Sequence, residues 1–153
     1  MSGLKMWAHP TWNFFHCFAN KINEDFFISN RKECLDIIKL ICKALPCPDC
    51  TVHATRFMLT VNEKNIKTKA DLIKMLYTFH NIVNRRTGKS PQKENILNKY
   101  DNYSLGAALS TFIQGYGKSY GSLMGGVIST VLIRRKNAQF VVNWMRKHWK
   151  QFQ

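Results

Sequence analysis

The stretch Leu45-Pro46-Cys47-Pro48-Asp49-Cys50-Thr51-Val52-His53 ends one helix and starts the next. Pro46 closes what precedes it, and the helix that follows runs from about Pro48. Cys47 and Cys50 stand three apart at that helix start, within reach of each other in a strained, reversible disulfide. Unpaired backbone N–H groups at a helix N-terminus favour a thiolate. This is the chemistry of thiol–disulfide exchange.

Working outward, Leu35, Ile38, Ile41, Cys42 and Leu45 fall at helical spacing before the pair. Ser29 or Asn30 is the expected cap of that helix, with Glu33 as the box partner of Asn30. Further upstream, Pro10 suits a first helical turn. Trp12, Phe15, Cys17, Phe18, Ala19 and Ile22 then supply an apolar face, with His16 one turn beyond Trp12. Downstream, Val52, His53, Arg56, Phe57 and Leu59 continue the third helix. Thr68 with Asp71 signals a fourth, whose stripe is Leu72, Met75, Leu76, Phe79 and Val83 and which ends near Gly88. No strand-like alternation competes over residues 10–87. The pattern predicts an all-α fold, an antiparallel four-helix bundle with additional short helices.

Residues 90–102 read as polar and turn-like, and Leu105 to Ile113 as a fifth helix. Phe140, Val141, Trp144, Met145, His148 and Trp149 predict a short amphipathic C-terminal helix, its aromatic face set on the bundle, a second subunit or a partner. The chain thus divides into a core over residues 1–100 and a basic helical extension over residues 101–153.

The 153 residues carry 23 Lys+Arg against 9 Asp+Glu, a formal charge of +14. Such a field favours acidic partners, nucleic acid or anionic lipid without choosing among them. Residues 102–153 hold no carboxylate at all, so the charge asymmetry is strongest there. Five cysteines, an odd number, argue against a fully paired secreted framework. Met1 to Lys21 lacks the pattern of a signal peptide. Gly121 to Ile133 is too short to span a bilayer as a helix, so no transmembrane segment is expected.

A Cys-x-x-Cys pair is also half of a zinc site, which needs four ligands. No second such pair exists, and His53 with His80 would have to complete a mixed set. A basic zinc-binding nucleic-acid module is therefore the competing class, with a flavin-free disulfide carrier as a further alternative. Against zinc stands the run His80-Asn81-Ile82-Val83-Asn84, which puts two amides and an imidazole beside an apolar stripe. Buried polar groups need partners, and a ring-nitrogen-rich heterocycle supplies them. Lys89, just past Gly88, is placed for a phosphate. A flavin is the cofactor that takes two electrons from a dithiol and passes them to oxygen.

The sequence resembles the FAD-linked sulfhydryl oxidases of the Erv/ALR type. The resemblance rests on Trp12 and His16, then Pro46, Cys47 and Cys50, then His80, Asn81, Val83, Asn84, Gly88 and Lys89, in the family's order and spacing. Trp7 matches a tryptophan of the compact members encoded by large DNA viruses. The resemblance implies FAD at the bundle mouth, Cys50 as the flavin-proximal thiol and Cys47 as the thiol that meets substrate. It implies Trp7, Trp12, His16, His53, His80, Asn81, Val83, Asn84 and Lys89 as cofactor-binding residues, and no metal. The implied enzyme forms protein disulfides from dithiol substrates or a dithiol carrier, passes electrons to molecular oxygen as hydrogen peroxide, and is a homodimer. A second shuttle pair is missing, as is any cysteine after Cys50. Both absences favour a compact viral type over a mitochondrial or secretory one; the expected location is host cytoplasm or virion if viral, and otherwise intracellular.

Overall fold

A computed structural model describes residues 3–120 and 128–152; Gly121 to Val127, part of the stretch weighed above for a membrane span, lie outside the described residues. Among the described residues, seven α-helices follow in chain order: α1 Gly3–Lys21, α2 Glu24–Ser29, α3 Arg31–Cys42, α4 Pro48–Thr60, α5 Lys69–Arg86, α6 Leu105–Tyr116 and α7 Ile128–Lys147. The fold is an all-α bundle. Helix α1 runs through its centre, with α5 on one side and α6 on the other, while α3 packs against α4 and α7.

Helix α1 starts well before Pro10, which sits inside it. Proline has no N–H for the carbonyl four residues back, here Met6. Gly115 of α6 packs onto that carbonyl, and a Cβ at Gly115 would fall on the Met6 oxygen. Only glycine permits the approach. It brings Phe112 of α6 into a stack with Phe14 of α1, ring centroids 4.9 Å apart.

The expected Asn30–Glu33 box does not form. A short helix, α2, precedes α3, and Asn30 is used to close it: its side-chain amide donates to the Phe26 carbonyl at 2.9 Å. The capping box on α5 does form, with Asp71 N–H donating to Thr68 Oγ1 and Thr68 N–H donating to the Asp71 carboxylate, both at 3.1 Å. Gly88, with φ of 77°, ends α5 in the left-handed region that favours glycine. The stretch expected to be turn-like contains a 3-10 helix over Glu94–Asn102, which buries Tyr100 against α1.

The C-terminal helix is longer than expected and faces differently. Val141, Trp144 and Met145 are buried, but Phe140 is 57% and Trp149 43% exposed. Positions 141, 144, 145 and 148 share one helical face, and 140 falls a hundred degrees off it. The chain end is fixed by Phe152, which bridges to Ile22, and by Asn23 N–H donating to the Gln151 carbonyl at 2.7 Å. Arg134 of α7 is 2% exposed and closes the C-terminus of α6, donating from Nε to the Tyr116 carbonyl at 2.8 Å and from Nη2 to the Lys118 carbonyl at 2.9 Å. A cation there complements the exposed helix carbonyls. Among the described residues, no helix is long and apolar enough to cross a membrane.

Candidate active site

Helices α1, α4 and α5 and the segment after α5 surround a cavity of about 560 Å³. Its aromatic wall is built by the Trp-x-x-x-His spacing on α1, which places Trp12 and His16 on one face. Trp12 lies flat on His80 of α5, with ring centroids 4.0 Å apart and planes within 5°. Behind it, His16 Nε2 and His80 Nδ1 are 2.9 Å apart. Burial is the main cause that lowers both imidazoles, His16 to about 3 and His80 to about 4. For His16 the His80 ring and Lys99 add to it; for His80, Lys89, Lys99 and His9 do. Both rings are neutral at pH 7, so one nitrogen of the pair donates and the other accepts.

The dithiol sits at the N-terminus of α4. Cys47 is its N-cap, and its sulfur accepts the Cys50 N–H at 3.3 Å. Cys50 lines the cavity, whereas Cys47 is not among the residues that do. Both are free thiols. Burial pushes the Cys50 thiol up to about 12, and neighbouring Cys47 adds to that; the Arg86 guanidinium pulls the other way. Helix-start N–H groups therefore serve Cys47, while Cys50, one turn in, depends on Arg86. Asp49 holds that guanidinium at 3.3 Å and lies 3.6 Å from His53 Nε2.

Of the residues singled out in the sequence, Trp7, Trp12, Cys50, His53, His80, Val83, Asn84 and Lys89 line the cavity together. His16 stands behind His80. Asn81 is buried behind the wall and holds the next segment in place. Its amide donates to the Gln92 carbonyl at 3.0 Å, and Gln92 N–H donates back to its oxygen at 2.9 Å. Sequence reasoning missed Arg86, Gln92 and Tyr100. Ile96 and Tyr100, four apart in a polar stretch and both in the wall, were the available signal for the third. Nothing marks Gln92, whose place is set through Asn81.

The cavity suits a large planar anion. Its walls are aromatic and apolar, with Lys89, Lys99 and Arg86 at its edge. Trp7 lines it, and the buried indole N–H of Trp7 has no hydrogen-bond partner. A buried donor of this kind marks an acceptor still to be supplied. Among the described residues, no three of His, Cys, Asp and Glu are grouped to hold a metal ion, so the zinc alternative has no support there.

Residues 9–103 match the Erv1 / Alr family. The chain belongs to this family. Two relatives are similar to it. One is "Putative FAD-linked sulfhydryl oxidase 096R" of Invertebrate iridescent virus 3, 27% identical over 86 residues, 56% of this chain and 58% of that protein. The other is "FAD-linked sulfhydryl oxidase ERV1" of Oryza sativa subsp. japonica, 27% identical over 82 residues, 54% of this chain and 42% of that protein. The chain thus spans about half the length of the curated relatives it matches. No solved structure matches it. The Erv1 / Alr match takes in the dithiol and the His80–Lys89 segment, but leaves out Trp7 and all of α6 and α7.

Proposed function

We propose that the protein is an FAD-dependent sulfhydryl oxidase. The observation that carries this reading is the placement of the dithiol, with Cys50 in the cavity wall and Cys47 outside it. Trp12, His80, Val83 and Asn84 would hold the flavin ring system, Trp7 N–H would donate to the cofactor, and Lys89 would neutralise its phosphates. His16 holds His80 in one tautomer, and Asn81 secures the wall segment at Gln92.

Oxidation of a client begins at Cys47. One client thiolate attacks the Cys47 sulfur of the Cys47–Cys50 disulfide, forming a mixed disulfide and releasing Cys50 as the leaving group. A second client thiolate attacks the client sulfur, so that the client leaves as a disulfide and the enzyme keeps two thiols. Arg86 stabilises Cys50 as its negative charge develops. FAD, when bound, supplies the two-electron acceptor that restores the enzyme disulfide and passes the electrons to molecular oxygen as hydrogen peroxide.

The protein is read as a homodimer of the compact type that large DNA viruses encode, acting in host cytoplasm or virion on dithiol proteins or a dithiol carrier. The similarity to an iridescent virus protein supports the compact type. The test is the absorbance spectrum of the purified protein together with oxygen uptake on a dithiol such as dithiothreitol. Bound flavin, and uptake lost in both Cys47→Ser and Cys50→Ser, is expected. Colourless protein that exchanges disulfides without consuming oxygen would leave a flavin-free carrier instead.

A further inference from the structure

Helices α6 and α7 form an antiparallel pair outside the family match, and a groove runs between them. It consists of two hollows, about 390 and 470 Å³, that share Ile113, Gln114 and Val142. Its floor is Leu109, Ile113 and Val142, laid over the buried Ala138 and Met145, with Ser110, Gln114 and Gln139 also in its lining. Exposed Trp149 stands at one end, next to Gly106. The edge is cationic, with Lys118 and Arg135 at one end and Arg146 at the other. No carboxylate occurs anywhere in residues 102–153 to neutralise it. From Gly106 to Lys118 the groove follows about 18 Å of helix, which matches roughly three turns of a helical ligand.

We propose that the α6–α7 groove binds an acidic amphipathic helix presented by a partner protein. Apolar side chains at i, i+3, i+4 and i+7 of such a helix fill the floor, as in other helix-in-groove complexes. Its Asp and Glu residues, on the flanks, meet Lys118, Arg135 and Arg146. Charge complementarity selects this occupant over a second copy of the chain. Two such grooves facing each other would set cations against cations with no acid between them. An apolar floor likewise gives a nucleic-acid backbone nothing to pair with. The assignment is independent of the redox chemistry proposed above.

The experiment is selection of a displayed random peptide library, about 12 residues long to match the groove, on the full chain. Selected peptides are expected to carry helical apolar spacing flanked by Asp and Glu. Their affinity is expected to fall about tenfold or more in Val142→Glu and in the exposed pair Lys118→Glu/Arg146→Glu, as loss of close charge pairs does. Arg135 is left in place because its Nε donates to the Gly117 carbonyl at 2.9 Å. Lys-for-Glu versions of the same peptides are expected to bind the charge-reversed pair better than the unaltered chain. The surface pair carries the test if Val142→Glu fails to fold. Peptides without acidic bias, or binding indifferent to both variants, would overturn the proposal. So would a doubled mass that Val142→Glu halves, which assigns the groove to a second copy. Duplex DNA that competes for the groove would overturn it as well. Peptide binding seen only after residues 121–127 are replaced by a Gly-Ser linker would assign the groove to the chain's own connection.

Discussion

His16 Nε2 lies 2.9 Å from His80 Nδ1, and burial holds both imidazoles neutral far below the ordinary histidine range. The unfolded chain takes up protons below about pH 6.5, where the folded chain does not. Stability from the neutral pair is therefore fully present above pH 6.5. It is lost as pH falls through about 4 for His80 and about 3 for His16. Within that window each imidazole adds a slope of about 1.4 kcal/mol per pH unit. Urea midpoints measured across the window should fall steeply in the unaltered chain and less steeply in His16→Gln. Equal slopes in the two would show that the pair is not the source.

Arg86 faces Cys50, whose thiol burial raises to about 12. Removing the guanidinium should raise that thiol further. In a Cys47→Ser background, Arg86→Gln should slow alkylation of Cys50 by iodoacetamide several-fold near pH 8. Asp49→Asn, which frees the guanidinium from its 3.3 Å contact, should slow it less or speed it. Unchanged alkylation in Arg86→Gln would remove Arg86 from the site.

Asn81 exchanges two hydrogen bonds with Gln92, at 3.0 and 2.9 Å. Leaving such buried groups unpaired costs about 1–3 kcal/mol. Asn81→Ala should accelerate amide exchange across residues 90–93 and loosen bound cofactor through movement of that wall. Asn84→Ala, at a residue in the wall itself, should loosen cofactor with little change in exchange there. Identical exchange patterns in the two variants would contradict these separate roles.

These roles mark where the sequence could be read and where it could not. The capping box at Thr68, the cysteine turn at Pro46 and the Trp12–His16 spacing are local, each fixed by residues within one helical turn. Asn81 reads the same as Asn84 in the sequence, because both lie on one side of α5. Only the return of the chain at Gln92 separates them. Helix α2 was hidden because six residues carry too little periodicity, and Asn30 signals a cap for either helix it touches. The length of α7 was hidden because its outward side carries Leu132, Ile133 and Phe140, which blur the apolar stripe.

Two glycines of α6 separate close approach from mere tolerance. A Cβ at Gly115 would collide with the Met6 carbonyl and stand 3.2 Å from the Trp7 Cα. At Gly106 the nearest groups, on Ser104 and Trp149, are 3.8 Å away. Gly115→Ala should cost about 1–3 kcal/mol as α1 and α6 are forced apart. It should also weaken flavin retention, since Trp7 moves with that part of α1. Gly106→Ala, in the uncrowded first turn of α6, should not destabilise and should gain less than the roughly 0.5–1 kcal/mol of a mid-helix position. Thermal melts of the two variants shifting in the same direction would refute the packing described here.

The C-terminal helix separates residues that cover the bundle from those left free. Val141 and Met145 are fully buried, while Phe140 is 57% exposed on the same helix. Met145→Ala should cost about 2–5 kcal/mol, and Phe152→Ala about 3–5, because each empties a filled site. Phe140→Ser should stay within about 0.5 kcal/mol, as surface changes do. Removal of residues 137–153 takes away Val141, Trp144, Met145 and Phe152 together, and with them the cover over Phe18 and Phe26. Loss of cooperative unfolding is the expected result. A truncated chain that still melts cooperatively, with only its mass or client range altered, would instead place this helix at an interface.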